Sequence, residues 1–169
     1  RSGVLRQVRD ETVDLGLTGG RVFDDDLEIL HVSRDRMHVV CPQGHPLAQG
    51  GPLTASLLAR HPLVLMHPST SVRAVVDAAF ATSGLPVVIA AEPTYMSTAV
   101  GMVRAGLGIA ILPGSAMEVR AEAALASRPI ADDAFMREVS LIKRAGRTLP
   151  PASETFARVL IQAMQVELV

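Results

Sequence analysis

The stretch VRAGLGIAILPG, residues 103–114, places two glycines between a helical pattern and an apolar run. Apolar residues before the glycines recur at helical spacing, and residues 109–112 form an apolar run that a proline–glycine pair ends. A dinucleotide-binding loop needs the opposite order, in which the glycines follow a strand and open a helix. We therefore interpret Gly106 and Gly108 as the end of a helix and a tight reversal into a buried strand.

The composition is typical of a globular chain. The 169 residues are 49% apolar and 20% charged, which suits one domain or two small lobes. A formal net charge of -1 provides no basic field for nucleic acid, so we expect no DNA binding by this chain itself. The single cysteine, Cys41, excludes an internal disulfide and a cysteine zinc site. No apolar run approaches the roughly eighteen residues of a membrane span, so we expect no membrane partner. The low cysteine count is compatible with a reducing compartment, and we expect a cytoplasmic location.

Short strands alternate with amphipathic helices along most of the chain. Strands are predicted at 13–17, 27–32, 37–41, 62–67, 86–91, 109–112, 125–131 and 138–143. Helices are predicted at 4–8, 54–60 and 71–83. A fourth helix has Thr94 or Ser97 as its cap and ends in the stretch at 103–114, and a last helix begins at residue 153. This order predicts an α/β fold with a mainly parallel sheet that helices cover on both faces.

Two helices carry a predicted buried face. In the helix at 71–83 that face consists of Val72, Val75, Val76, Ala79 and Phe80. In the last helix it consists of Phe156, Val159, Leu160, Ala163 and Met164.

Ligands of such sheets bind beyond the carboxyl ends of the strands. Those ends fall at 18–20, 67–71, 92–96 and 113–115, and all four are rich in small or hydroxyl-bearing residues. Two of them lead directly into helices, whose free N-terminal N–H groups favour an anion.

Few residues suggest catalysis or metal binding. The five histidines lack HxxxH or HExxH spacing, so we expect no metal site. His67 alone lies at a predicted strand end, where it would either donate to a ligand or have a structural role. Neither GxSxG nor SxxK surrounds Ser69, Thr70 and Ser71, which leaves capping of the helix by one of the three, alone or combined with ligand binding. We expect Arg73 to be a solvated surface charge rather than an anion clamp. Tyr95 either lines a ligand cleft or simply packs.

Three stretches together resemble the effector-binding domain of LysR-type transcriptional regulators. They are VDLGLTGG at 13–20, RDRMHVVCPQGHPLA at 34–48 and VGMVRAGLGIAILP at 100–113, and the similarity extends from about Leu5 to Met164. The resemblance implies a two-lobed fold like that of type II periplasmic binding proteins. Lobe I would comprise 1–33 and 142–169, and lobe II 34–141, with crossover strands near 32–37 and 139–143.

The resemblance also implies a function and a site. The domain would bind a small metabolite, commonly a carboxylate, in the cleft between the lobes, without a cofactor. Effector contacts are carried over to Thr18, Pro68, Ser69, Thr70, Thr94, Tyr95 and Met96 of this sequence. Gly19 and His67, which lie at the same strand ends, complete the expected site.

The sequence departs from the family pattern at its beginning. The DNA-binding helix-turn-helix is absent, so we expect DNA contact only through a separate N-terminal domain. The first strand and helix of lobe I are absent too, and their loss would expose unpaired strand edges. Family members form homodimers or tetramers. Here the helix at 71–81 and the strand at 86–91 would supply half of the dimer surface.

Two other functions compete with a sensory domain. A solute-binding protein of a transporter would need a secretion signal and would work as a monomer. An enzyme on the same fold would need convergent titratable groups, and only His67, Glu92 and Tyr95 fall at strand ends. The sensory, non-enzymatic interpretation fits the sequence better.

Overall fold

The computed structural model describes residues 2–20 and 22–166. The chain divides into two compact units, the first formed by Arg1–Asp35 and Arg137–Val169 and the second by Arg36–Met136. The strands are β1 Gly16–Gly19, β2 Leu27–Pro42, β3 Pro62–Val64, β4 Val88–Ala91, β5 Ile109–Pro113, β6 Leu125–Pro129 and β7 Met136–Arg144. The helices are α1 Ser2–Arg9, α2 Ala55–Leu58, α3 Ser71–Ser83, α4 Met96–Arg104, α5 Met117–Arg120 and α6 Pro151–Val166.

In the first unit, α1 packs closely against β1. Gly16 makes this approach possible, since a Cβ built there would lie 2.8 Å from side-chain carbons of Val4 and Val8. Strand β1 runs antiparallel to β7, with Gly16 opposite Ile142 and Thr18 opposite Ser140. Val8 and Ile142 are fully buried, so this small core rests on the α1–β1–β7 contact.

The second unit is built on a mixed sheet in the order β6-β2-β5-β3-β4. Strands β3, β4 and β5 are parallel, whereas β2 runs antiparallel to both β5 and β6. Every residue of β5 is buried, which explains its uninterrupted apolar sequence. The carboxyl ends of β4, β3 and β5 therefore meet at one edge of the sheet.

Gly106 and Gly108, from the stretch at 103–114, lie in the predicted turn between a helix and a buried strand. Helix α4 ends at Arg104, and Gly106 follows with a φ of 82°, in the left-handed region that glycine tolerates. Gly108 precedes β5 and lies against the backbone of β3, where a Cβ would stand 2.3 Å from the Pro62 carbonyl oxygen. The α4–β5 turn thus closes a helix and admits a buried strand, and it forms no phosphate loop.

The predicted face of α3 is largely confirmed. Val72, Val76, Ala79 and Phe80 are buried, and Val75 is partly buried against the same core. Phe80 meets Phe135 edge to face, with ring centroids 5.4 Å apart.

Three predictions of secondary structure and packing are wrong. The sheet is not mainly parallel, because β2 is one continuous strand that runs on from the first unit in the opposite direction to β5. Neither Thr94 nor Ser97 caps α4, since Tyr95 holds the N-cap position without a side-chain bond. The buried face of α6 is rotated toward Ala157, and Phe156 and Val159 are 59% and 58% exposed.

No helix in residues 2–20 and 22–166 is long and apolar enough to cross a membrane.

Two neighbouring histidines of the second unit, His45 and His61, should make the free energy of unfolding depend on pH. His45 caps the short turn Pro46–Ala48 by accepting a hydrogen bond from the Leu47 N–H, and its ring lies 4.9 Å from that of His61. Burial, and then repulsion from His61, lowers the pKa of His45 below its ordinary 6.5. The unfolded chain therefore binds more protons than the folded chain just below pH 6.5, and the free energy of unfolding should fall as the pH drops through that range.

Urea unfolding at pH 7 and pH 5.5 measures this effect. His45→Asn keeps an acceptor for the Leu47 N–H and removes the titration, so it should show a smaller loss of stability between the two pH values. Equal losses in the two proteins would refute a role for His45.

Candidate functional site

The strand-end loops of β3 and β4, residues 65–70 and 92–95, lie side by side in the second unit. The two strands are parallel neighbours, and their pairing continues beyond the strand ends. The Leu65 N–H donates to the Ala91 carbonyl at 3.1 Å, and the His67 N–H donates to the Pro93 carbonyl at 2.9 Å. These hydrogen bonds hold the two loops together at the edge that the sequence predicts for ligand binding.

In the first loop, the His67 ring is held by Ser69. The Ser69 N–H donates to His67 Nδ1 at 3.3 Å, and the Ser69 hydroxyl lies 2.9 Å from the same nitrogen. Because Nδ1 accepts the backbone hydrogen bond, the proton of a neutral imidazole resides on Nε2. His67 is exposed, so Nε2–H is available to an acceptor in solution.

Of the three candidates Ser69, Thr70 and Ser71, Thr70 is the residue that caps α3. Its hydroxyl accepts from the Arg73 N–H at 3.2 Å and donates to the His67 carbonyl at 2.9 Å. The hydroxyl thereby ties the loop to the helix. The first N–H groups of α3, those of Ser71 and Val72, are left without intrahelical partners.

The second loop presents Thr94 and Tyr95 to solvent before α4 begins. The Tyr95 side chain is 71% exposed, so simple packing does not account for it. The Tyr95 carbonyl accepts from the N–H groups of Thr98 and Ala99, both at 3.1 Å, which leaves those of Met96 and Ser97 outside the helical ladder. Met96 itself packs against the core.

Arg73 links both loops, contrary to the expectation of a solvated charge. Its side chain is 9% exposed, and Nη1 donates to the Met66 carbonyl at 3.1 Å and to the Glu92 carboxylate. Nε donates to Asp77 Oδ1 at 2.7 Å. Burial opposes the charge, but the hydrogen bonds to Glu92 and Asp77 outweigh burial and raise the pKa of Arg73.

The electrostatics of the loops are mixed. The Arg73 network holds one cation and two carboxylates, and the excess negative charge works against an anion. The free N–H groups of α3 and α4 favour one. An anion of low charge therefore meets less repulsion at these loops than a highly charged one does.

Seven of the nine predicted site residues thus lie together in the second unit: His67, Pro68, Ser69, Thr70, Thr94, Tyr95 and Met96. Thr18 and Gly19 belong to β1 in the first unit. Thr18 is 5% exposed, and its Oγ1 has no hydrogen-bond partner within the described residues. A buried hydroxyl of this kind is costly unless something accepts or donates to it.

Sequence reasoning missed the Arg73 network. Arg73 and Asp77 have the i, i+4 spacing of a helical ion pair, a signal the sequence did offer. Nothing in the sequence indicated that Glu92, nineteen positions away from Arg73, completes the network. Within residues 2–20 and 22–166 no cluster of three or more histidine, cysteine or carboxylate side chains is suited to a metal ion.

Solved structures share this fold. The effector-binding domain of QuiR in complex with shikimate aligns with a TM-score of 0.77 over 99% of this chain and 79% of its own, at 20% identity. The regulatory domain of CcmR from Synechocystis PCC6803, in complex with 2-PG, aligns with a TM-score of 0.81 over 96% of this chain and 78% of its own, at 18% identity. The fold is therefore the two-lobed, periplasmic-binding-protein-like fold of LysR effector-binding domains.

Curated relatives are longer proteins. The HTH-type transcriptional regulator YbhD of Escherichia coli (strain K12) is 26% identical over 148 residues, which cover 88% of this chain and 47% of that protein. The chain thus spans about half the length of this relative. The family model described as LysR substrate binding domain matches residues 1–165. The chain belongs to the LysR substrate binding domain family.

Proposed function

We propose that the chain is the ligand-sensing part of a LysR-type transcriptional regulator and that it binds a small hydroxylated carboxylate at the strand-end loops. Ligand binding then controls DNA contact through an N-terminal helix-turn-helix of the longer protein. The observation that carries the proposal is the pair of neighbouring loops, each leading into a helix with free N-terminal N–H groups. These groups supply donors for a carboxylate, and Ser69, Thr94 and Tyr95 supply hydroxyls.

One of the solved structures with this fold supports this class of ligand. The effector-binding domain of QuiR has been solved in complex with shikimate, which is a hydroxylated carboxylate. Thr18 and Gly19 stay in the proposal as effector contacts, since the Thr18 hydroxyl lacks a partner in the described part of the chain. The matched relatives are regulators, which agrees with a cytoplasmic, non-enzymatic role.

The proposal includes a homodimer. Strand β4 is an edge strand of the second-unit sheet, and Val88 and Ile89 are 65% and 40% exposed. Exposed apolar residues on an edge strand next to a helix are the kind of surface that a second copy covers. The resemblance to the family implies the same surface, the helix at 71–81 with the strand at 86–91.

A thermal-stability screen tests the ligand class. A ligand that binds only the folded chain raises its melting temperature in a saturable way. We expect shikimate or another small hydroxylated carboxylate to do so, and the corresponding neutral amide to do so less. If neutral compounds stabilise the protein and no carboxylate does, the proposed ligand class is wrong.

Replacing Thr70 by valine should weaken binding of the best carboxylate from this screen. Valine keeps the shape but removes the hydroxyl that joins the His67 carbonyl to the Arg73 N–H, so we expect a loss of about 1 kcal/mol in the free energy of unfolding. Loosening of the loop should reduce affinity about fivefold. Urea unfolding and isothermal titration calorimetry measure the two effects.

Thr70→Ser is the matched control, because it keeps the hydroxyl. It should retain most of the stability and affinity. A valine variant with unchanged affinity would remove Thr70 from the site.

A further inference from the structure

A cavity of about 520 Å³ lies in the first unit, along α6 and well away in sequence from the strand-end loops. Strand β2, the end of β7, the segment that follows β7 and helix α6 form its walls. We name it the α6 cavity. Its volume falls within the range of sites for small organic ligands, about 300 to 1,000 Å³.

One wall of the α6 cavity is apolar. This wall consists of Leu30 of β2, Leu149 of the segment between β7 and α6, and Ala157 and Ile161 of α6. Ala157 is buried, while Leu30 and Ile161 are only partly buried, so they keep apolar area that a ligand can cover.

The cavity is also lined by three cations that differ in how they are paired. Lys143 is occupied, because its Nζ lies 2.9 Å from Glu28 Oε2 and donates to the Arg147 carbonyl at 2.8 Å. Arg158 is not paired in this way. Its side chain has one hydrogen bond within the described residues, from Nη2 to Thr155 Oγ1 at 3.3 Å, and no ion pair there.

The third cation, Arg147, has an incompletely used guanidinium. Nη2 lies 3.0 Å from Asp14 Oδ1, and Nη1 lies 3.7 Å from Glu11 Oε2. Nη1 is nevertheless buried and has no hydrogen-bond partner in residues 2–20 and 22–166. An acceptor supplied by a ligand would remove the cost of this unsatisfied donor.

We propose that the α6 cavity is a second ligand site and that it takes a small monocarboxylate with an apolar body. The apolar wall receives the body, and the unpaired guanidinium of Arg158 receives the carboxylate. Glu154 also lines the cavity, so a ligand with two or more negative charges fits less well than a monoanion. All of its lining residues belong to the first unit and none to the strand-end loops, so, resting on the function proposed above, the site would give the sensor a second input.

Binding of hexanoate, hexan-1-ol and acetate to the protein tests the site. Titration calorimetry and methyl NMR are the measurements. Hexanoate should bind saturably at concentrations up to the order of 10 mM, and acetate and hexan-1-ol should each bind at least about fivefold more weakly. Methyl signals of Leu30, Leu149 and Ile161 should shift with hexanoate, and that of Met96, at the start of α4 in the second unit, should not.

Arg158→Gln removes the proposed anchor from an exposed helix position, so the fold should be unaffected. It should weaken hexanoate about fivefold and leave hexan-1-ol unchanged. Arg60→Gln, an exposed arginine of the second unit, is the matched control and should bind hexanoate as the unaltered protein does. The proposal is overturned by an absence of saturable hexanoate binding, by equal binding to the two variants, or by shifts confined to other methyl groups.

Discussion

Gly108→Ala should reduce the free energy of unfolding by about 3 kcal/mol or more, because the added methyl group would collide with backbone. The register that places Leu63 opposite Ile109 brings Gly108 against Pro62, where a Cβ would meet the carbonyl oxygen at 2.3 Å. Backbone cannot rotate away as a side chain can, so β3 and β5 would have to separate. All of β5 and two of the three residues of β3, Leu63 and Val64, are buried, and the strand-end loop of β3 would move with them.

Two other glycines of the same segment provide matched controls. Gly106→Ala should lose only about 1 kcal/mol, since its φ of 82° is unfavourable but no atom lies within 4 Å of the new Cβ. Gly101→Ala, inside α4 with open space around it, should gain about 0.5 to 1 kcal/mol. Urea unfolding followed by far-ultraviolet circular dichroism suits a chain without tryptophan. Three similar destabilisations would refute the steric explanation.

Arg73→Met should lower the free energy of unfolding by about 2 to 3 kcal/mol. Methionine keeps the buried apolar stem but leaves the Met66 carbonyl without its Arg73 donor. The two carboxylates are 55% and 44% exposed, so water recovers part of their solvation and the loss stays below that of a fully buried broken pair. The two strand-end loops should also separate, and affinity for the best carboxylate from the screen should fall.

Arg60→Met is the control for this variant. Arg60 is exposed, and its replacement should change stability by no more than about 0.5 kcal/mol. Equal effects of the two substitutions on unfolding and on binding would show that Arg73 is an ordinary surface charge, as its position in the sequence first suggested.

Periodicity and turn chemistry predicted most of the second unit. The α4–β5 turn, the Thr70 cap and the buried face of α3 followed from glycine conformation, a hydroxyl before a helix and 3.6-residue spacing. Each of these features is local, so a short window of sequence contains its cause. The α/β class followed from the alternation of strands and helices, and the fold comparisons confirm it.

Features that depend on distant residues were not predictable in the same way. Strand β2 begins in the first unit and runs antiparallel to β5. The alternation of apolar residues along a strand does not indicate the direction of that strand relative to its neighbours. Apolar residues occur on more than one side of α6, so spacing alone selected the side that carries Phe156 and Val159, which are exposed. Arg73 appeared solvent-exposed in sequence because Glu92 reaches it only through the pairing of β3 with β4.

The central claim is that the strand-end loops bind the effector, and an amide NMR titration tests it most directly. The ligand should be the carboxylate that gives the largest saturable rise in melting temperature, with shikimate included in the series. We predict saturable shifts of the amide signals at the starts of α3 and α4, those of Ser71, Val72, Met96 and Ser97. Saturable binding of that carboxylate with these four amide signals unmoved would contradict the claim.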